Sequence, residues 1–199
     1  MINKLIFLYS FNGGEVLGGI PKKILKYSEA IDFVVTDTYF NLLKTLVEKK
    51  VIKKLFIIVK SREESARFSE FGIYKINNNI EIIYPPNLSA AESYIGCINN
   101  NDIIWARGTS KLWEQFLLRH MHARKVLYNL AYLNTDVQIY DLIFGDEDSQ
   151  FKEIMNHKYF FELNKSANES IFYPINIEKK YDLISIGTIS KRKGQLRLI

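Results

Sequence analysis

The feature that most constrains the fold is the alternation of short apolar runs with amphipathic segments of helical period. Lys4–Phe11, Lys54–Lys60 and Ile80–Tyr84 are dominated by β-branched, leucine and aromatic residues, a composition typical of strands buried on both faces. Further strands are predicted at Asp32–Thr36, Asp102–Arg107, Val126–Ala131 and Lys158–Leu163. Strands that alternate with helices predict an α/β fold with a doubly wound, mostly parallel, Rossmann-like sheet.

The helical segments carry their own start signals. Asp37 is a suitable N-cap for a helix over Thr38–Lys50, and Ser61 with Glu64 and Ser89 with Glu92 have capping-box spacing. Leu133–Phe144 fits either a helix or a loop. Helices are predicted at Lys22–Ala30, Thr38–Lys50, Ser61–Phe71, Ala90–Ile98 and Lys111–Arg124.

The last part of the chain has the pattern of a second domain. Pro174 and the polar run Asn176–Lys180 indicate a linker, so residues 1–175 are predicted to form one domain. Beyond the linker an apolar run ends on Gly187, and a helical pattern of five residues begins at Gln195. Because isolated helices need ~12–15 residues to be marginally stable, we expect residues 176–199 to be the truncated start of a second domain.

A candidate phosphate site lies between that apolar run and that helix start. Gly187 is followed by the basic loop Lys191–Lys193 and by Gly194. Free N–H groups and the positive end of the helix dipole would face this loop. The spacing matches neither the dinucleotide-binding G-x-G-x-x-G pattern nor the P-loop. A generic strand-to-helix turn with solvated lysines is the alternative.

The segment Gly187–Gly194 resembles the opening of the C-terminal domain in GT-B glycosyltransferases, particularly the family 4-like retaining enzymes. Lys193 and Gly194 match the family's lysine-glycine pair, whereas Thr188 stands where the family usually has arginine. The resemblance implies a donor diphosphate site formed by Gly187, Thr188, Lys193 and Gly194. It also implies a nucleotide-sugar as substrate, a saccharide or lipid-linked acceptor, no separate cofactor, and residues 1–175 as the acceptor-side domain.

Two more features fit this resemblance. Gly13, Gly14, Gly18 and Gly19 follow the first strand, like the glycine-rich loop that faces the interdomain cleft in the family; a flexible surface loop is the alternative. Arg107 ends a predicted strand and is a candidate contact for an acceptor or a phosphate, with a structural ion pair as the alternative.

The family's E-x7-E motif, which handles the donor sugar, does not occur in this sequence. We therefore expect this polypeptide alone to have no detectable transferase activity, and its catalytic residues are unknown. The competing hypothesis is a stand-alone α/β binding domain without a catalytic role.

Composition and charge limit the classes of protein to which this chain can belong. The share of apolar residues, 47%, is that of a globular protein, and no apolar run approaches the ~18–20 residues of a membrane span. The single cysteine, Cys97, excludes an internal disulfide and favours a reducing, cytoplasmic location; we expect it to be a small core residue on a helix.

The net charge of +5 comes from separate lysine and arginine clusters, which we interpret as solvated helix faces. No nucleic-acid signature accompanies them. A peripheral contact with the inner membrane face through the lysine-rich helices is a third alternative. The spacing of His120 and His122 does not suit a metal pair on a helix, so no metal site is predicted.

Overall fold

The structure, a computed structural model, describes residues 1–11, 24–25, 34–35, 37–61, 67–107, 111–128, 137–145 and 158–162. The chain divides into two compact units, Met1–Ser166 and Ala167–Ile199, and every described residue belongs to the first. The predicted linker, the predicted domain boundary and the segment 176–199 therefore lie outside the described residues.

The strands are β1 (Ile2–Phe11), β2 (Ile24–Leu25), β3 (Ile52–Ser61), β4 (Arg67–Phe68), β5 (Gly72–Asn77), β6 (Ile80–Tyr84), β7 (Ile103–Arg107), β8 (Arg124–Tyr128), β9 (Leu142–Gly145) and β10 (Phe160–Glu162). The helices are α1 (Thr38–Glu48), α2 (Leu88–Ile95) and α3 (Lys111–Arg119), with a 3-10 turn at Val137–Ile139.

Eight of these strands form one sheet in the order β10-β9-β8-β7-β1-β3-β6-β5. All neighbours are parallel except β5 and β6, which form an antiparallel hairpin at one edge. The chain builds the sheet outward from β1 through β3 to β6, then returns to the other side of β1 with β7. The sheet is thus mostly parallel and compatible with a Rossmann-like fold, and its topological switch point lies between β1 and β7.

Apolar clusters cover both faces of the sheet. Along β1 the odd residues Leu5, Phe7 and Tyr9 face one cluster, and the even residues Ile6 and Leu8 face the other. Helix α1 contributes Phe40, Leu43 and Val47 to the first cluster. Helices α2 and α3 contribute Ala91, Ile95, Trp113, Phe116 and Leu117 to the second. Helices on both faces confirm the doubly wound arrangement.

Three predictions in the first third of the chain are wrong where the structure describes them. Val34 and Val35 are helical rather than part of a strand. Residues 24–25 and 67–68, predicted as helical, pair with each other as the parallel strands β2 and β4. In such short segments the apolar pattern does not fix the period, and tertiary contacts decide the conformation.

The second predicted capping box is also wrong. The Oδ1 atom of Asn87 accepts the N–H of Ala90 at 2.9 Å, so α2 begins two residues earlier than Ser89 would place it. The helix stops at Ile95 because Gly96 adopts a φ of 73°, a conformation that favours glycine. Cys97 consequently lies beyond the helix and is exposed, contrary to its predicted place in the core.

Candidate functional site

The described residues place Arg107 at the carboxyl end of β7, beside the switch point. Leu8 of β1 pairs with Ala106 of β7, so Tyr9 is the next residue in register with Arg107. On the other side, Arg107 pairs with Tyr128 of β8. Open parallel sheets bind their ligands outside the carboxyl ends of the strands at such a point, and Arg107 therefore occupies the position expected of a ligand contact.

The N-cap residue of α1 supplies an acidic partner for Arg107. Asp37, the N-cap of α1, accepts the backbone N–H of Tyr39 through Oδ1 at 2.9 Å. Its other oxygen, Oδ2, forms an ion pair with Arg107 and accepts the hydroxyl of Tyr9 at 3.3 Å. One carboxylate thus holds the helix start, the strand end of β7 and the strand end of β1 together.

Two aromatic rings flank the guanidinium group. Its central carbon lies 5.1 Å from the ring centroid of Tyr9 and 5.3 Å from that of Tyr39, distances suited to cation–π attraction. The Nε atom of Arg107 is buried and has no hydrogen-bond partner among the described residues. Buried polar groups are nearly always hydrogen-bonded, so this N–H lacks the partner that such a group ordinarily has.

Burial raises the pKa of Tyr9, and the negative charge of Asp37 raises it further, while Arg107 opposes the shift. Tyr9 therefore stays protonated at neutral pH and donates its hydrogen bond. Asp37 is engaged by three donors and Arg107 is neutralised by it. Such a cluster can bind and orient a ligand, whereas it contains no nucleophile paired with an unengaged base.

The other predicted site residues fall outside the described part of the chain. This holds for Gly13, Gly14, Gly18 and Gly19, and for Gly187, Thr188, Lys193 and Gly194. The sequence reasoning missed Tyr9 and Tyr39 as site residues and treated Asp37 only as a helix cap. The available signal for Tyr9 was its position near the end of the first strand, which is the rule that identified Arg107.

His120 and His122, the two histidines that the structure describes, engage separate partners. The Nε2 atom of His120 lies 3.1 Å from Oε1 of Glu92, and the Nε2 atom of His122 lies 2.6 Å from the carbonyl oxygen of Ile98. Within the ranges that the structure covers, no three His, Cys, Asp or Glu side chains are grouped to hold a metal ion.

None of the described helices is both long and apolar enough to cross a membrane. Comparisons with protein-family models, with curated proteins and with solved structures returned no significant match.

Proposed function

We propose that this sheet is the acceptor-side domain of a glycosyltransferase of the GT-B class, which binds a nucleotide-sugar and a saccharide or lipid-linked acceptor. The observation that carries the proposal is Arg107, which lies at the switch point of a doubly wound sheet with a buried Nε–H that has no partner among the described residues. The resemblance of Gly187–Gly194 to the donor diphosphate motif adds to it.

In this proposal the described residues orient the ligand, and they do not transfer protons. Arg107 donates from Nε to an oxygen of the ligand, while its ion pair with Asp37 fixes the guanidinium plane. The rings of Tyr9 and Tyr39 form apolar walls beside it. Transfer of the sugar with retention also requires the donor-side groups that the resemblance assigns to a second domain.

The test is calorimetric titration of the full chain with a panel of nucleotide diphosphates and nucleotide-sugars. Arg107→Met should weaken binding about tenfold or more, because a charge-assisted hydrogen bond contributes about 1.5–3 kcal/mol. Arg124→Met is the matched control, since Arg124 is exposed at the amino end of β8. Failure of the wild-type chain to bind any of these ligands would contradict the proposal.

A stand-alone binding domain is the second candidate, and the neutralisation of Arg107 by Asp37 favours it. In that case the pair is structural, and Arg107→Met should lower stability without changing any affinity. Protease sensitivity offers a further distinction. Preferential cleavage after about Asn176 favours the glycosyltransferase proposal, and resistance of Tyr181–Ile199 favours the stand-alone domain.

A further inference from the structure

Lys60 is a second cation at the carboxyl edge of the sheet, on the opposite face from Arg107. It is the penultimate residue of β3 and pairs in register with Ser10 of β1. Alternation along β3 puts Lys60 on the same face as Phe56 and Ile58, the face that α2 and α3 cover. Lys60 therefore lies on one side of the end of β1, and Arg107 lies on the other.

Lys60 is partly buried and has no partner among the described residues. The other described lysines that are withdrawn from solvent each have one. Lys44 and Lys54 pair with Glu48 and Glu81, at 3.7 Å and 3.1 Å. The Nζ atoms of Lys4 and Lys125 lie 2.6–3.3 Å from backbone carbonyl oxygens.

Lys60 differs from these four lysines in having no partner among the described residues. Removing a charge from water without giving it a partner costs free energy. Burial lowers the pKa of Lys60, and no charge of the described residues contributes to that shift. An ammonium group in this setting gains more from an arriving anion than a solvated lysine does, because water screens the attraction less.

Ser10 adds a hydroxyl group to the same face. The residue is only 6% exposed. Residues paired in register on neighbouring strands lie about 5 Å apart, so the hydroxyl and the ammonium can reach the oxygens of one phosphoryl group together. A hydroxyl group also donates to phosphate without adding charge.

We propose that Lys60 and Ser10 form an anion site that takes the phosphoryl group of a ligand bound at the carboxyl edge of the sheet. The proposal deepens the proposed function, because it assigns the charged end of the ligand to Lys60 rather than to the neutralised Arg107.

The experiment is calorimetric titration of the full chain with inorganic pyrophosphate, which contains neither sugar nor base. Lys60→Gln should weaken pyrophosphate binding about tenfold or more, and Ser10→Ala by a smaller factor. The control is Lys53→Gln, which removes the same charge from an exposed position at the other end of β3 and should leave the affinity unchanged. Circular dichroism and thermal unfolding establish that each variant is folded.

The site is refuted if Lys60→Gln binds pyrophosphate like the wild type, if Lys53→Gln loses as much affinity, or if the wild type does not bind it. Parallel titrations with a nucleotide diphosphate and with vesicles that contain phosphatidate identify the source of the phosphoryl group. Binding of pyrophosphate through Lys60 without any binding of nucleotide-sugars would support the site and contradict the glycosyltransferase proposal.

Discussion

Buried polar groups at the two edges of the sheet differ in whether they have hydrogen-bond partners among the described residues. At the amino edge Asp102 is fully buried, and its two oxygens accept the backbone N–H groups of Lys4 at 3.0 Å and Asn99 at 2.9 Å. At the carboxyl edge the Nε of Arg107 is buried without a partner among the described residues, and the partly buried Lys60 also has no partner among them. The buried carboxylate of the amino edge is thus satisfied within the fold, whereas the Nε–H of Arg107 has no partner among the described residues.

The amino edge does contain a cavity of about 240 Å³, lined by Met1, Ile2, Asn100, Asn101, Ile103 and Arg124. Its polar side chains, those of Asn100, Asn101 and Arg124, are exposed to solvent. Water already satisfies such groups, so the cavity differs from the carboxyl edge in needing no ligand to complete its hydrogen bonds.

The largest expected effect is on the amino edge. Asp102→Ala should lower the free energy of unfolding by about 3–5 kcal/mol, because it leaves two backbone N–H groups without their acceptor in a fully buried position. Urea denaturation followed by circular dichroism measures this loss. Asp102→Asn keeps one acceptor oxygen and should therefore lower the free energy of unfolding by less. If the alanine variant lost less than about 1 kcal/mol of its free energy of unfolding, the contrast between the two edges would be contradicted.

A smaller effect on stability is expected from Arg107→Met at the carboxyl edge, about 1–3 kcal/mol. The substitution leaves Asp37 mostly buried without its cation, while its bonds to Tyr9 and Tyr39 remain. Adding Asp37→Asn should recover part of the loss, and a double-mutant cycle from urea denaturation measures the coupling. Coupling near zero would mean that the pair does not hold α1 against β7.

The smallest effect on stability is expected from Lys60→Met, which should leave the free energy of unfolding unchanged or slightly increased at neutral pH. The pKa of Lys60 is lowered in the native state, so between that value and the usual pKa of about 10.4 the unfolded chain binds more protons. The free energy of unfolding of the wild type should therefore rise with pH across that window. Lys60→Met has no titrating group at this position and should not show the rise.

Urea denaturation of both proteins at pH 7 and at pH 9.5 tests this sign. A wild-type protein that loses stability relative to Lys60→Met as pH rises would indicate that Lys60 has an anionic partner in the fold. That result would remove the distinction between Lys60 and the other withdrawn lysines.

The main strands were predictable because β1, β3, β6 and β7 are nearly continuous apolar runs, as buried parallel strands must be. The hairpin strand β5 was missed, since at an edge its side chains are mostly exposed and its sequence lacks an apolar run. The two-residue strands β2 and β4 depend on each other and have no local signal.

The site was predictable only in part. The strand-end rule identified Arg107, but its partner Asp37 lies 70 positions earlier in the chain and had a sufficient local role as an N-cap. Whether a lysine finds a partner is a property of the folded chain, so Lys60 could not be distinguished from Lys54 in the sequence. Local patterns therefore predict elements, while the satisfaction of polar groups requires the tertiary structure.

The most direct test of the contrast between the edges is an amide chemical-shift map of the isotope-labelled chain titrated with pyrophosphate and then with a nucleotide-sugar. We expect the largest shifts at the carboxyl edge, at Ser10, Lys60 and Arg107, with the amides of Asn101 and Asp102 unaffected. Shifts concentrated at the amino edge around Asn101 and Arg124, or no shifts with either ligand, would contradict the assignment of ligand binding to the carboxyl edge.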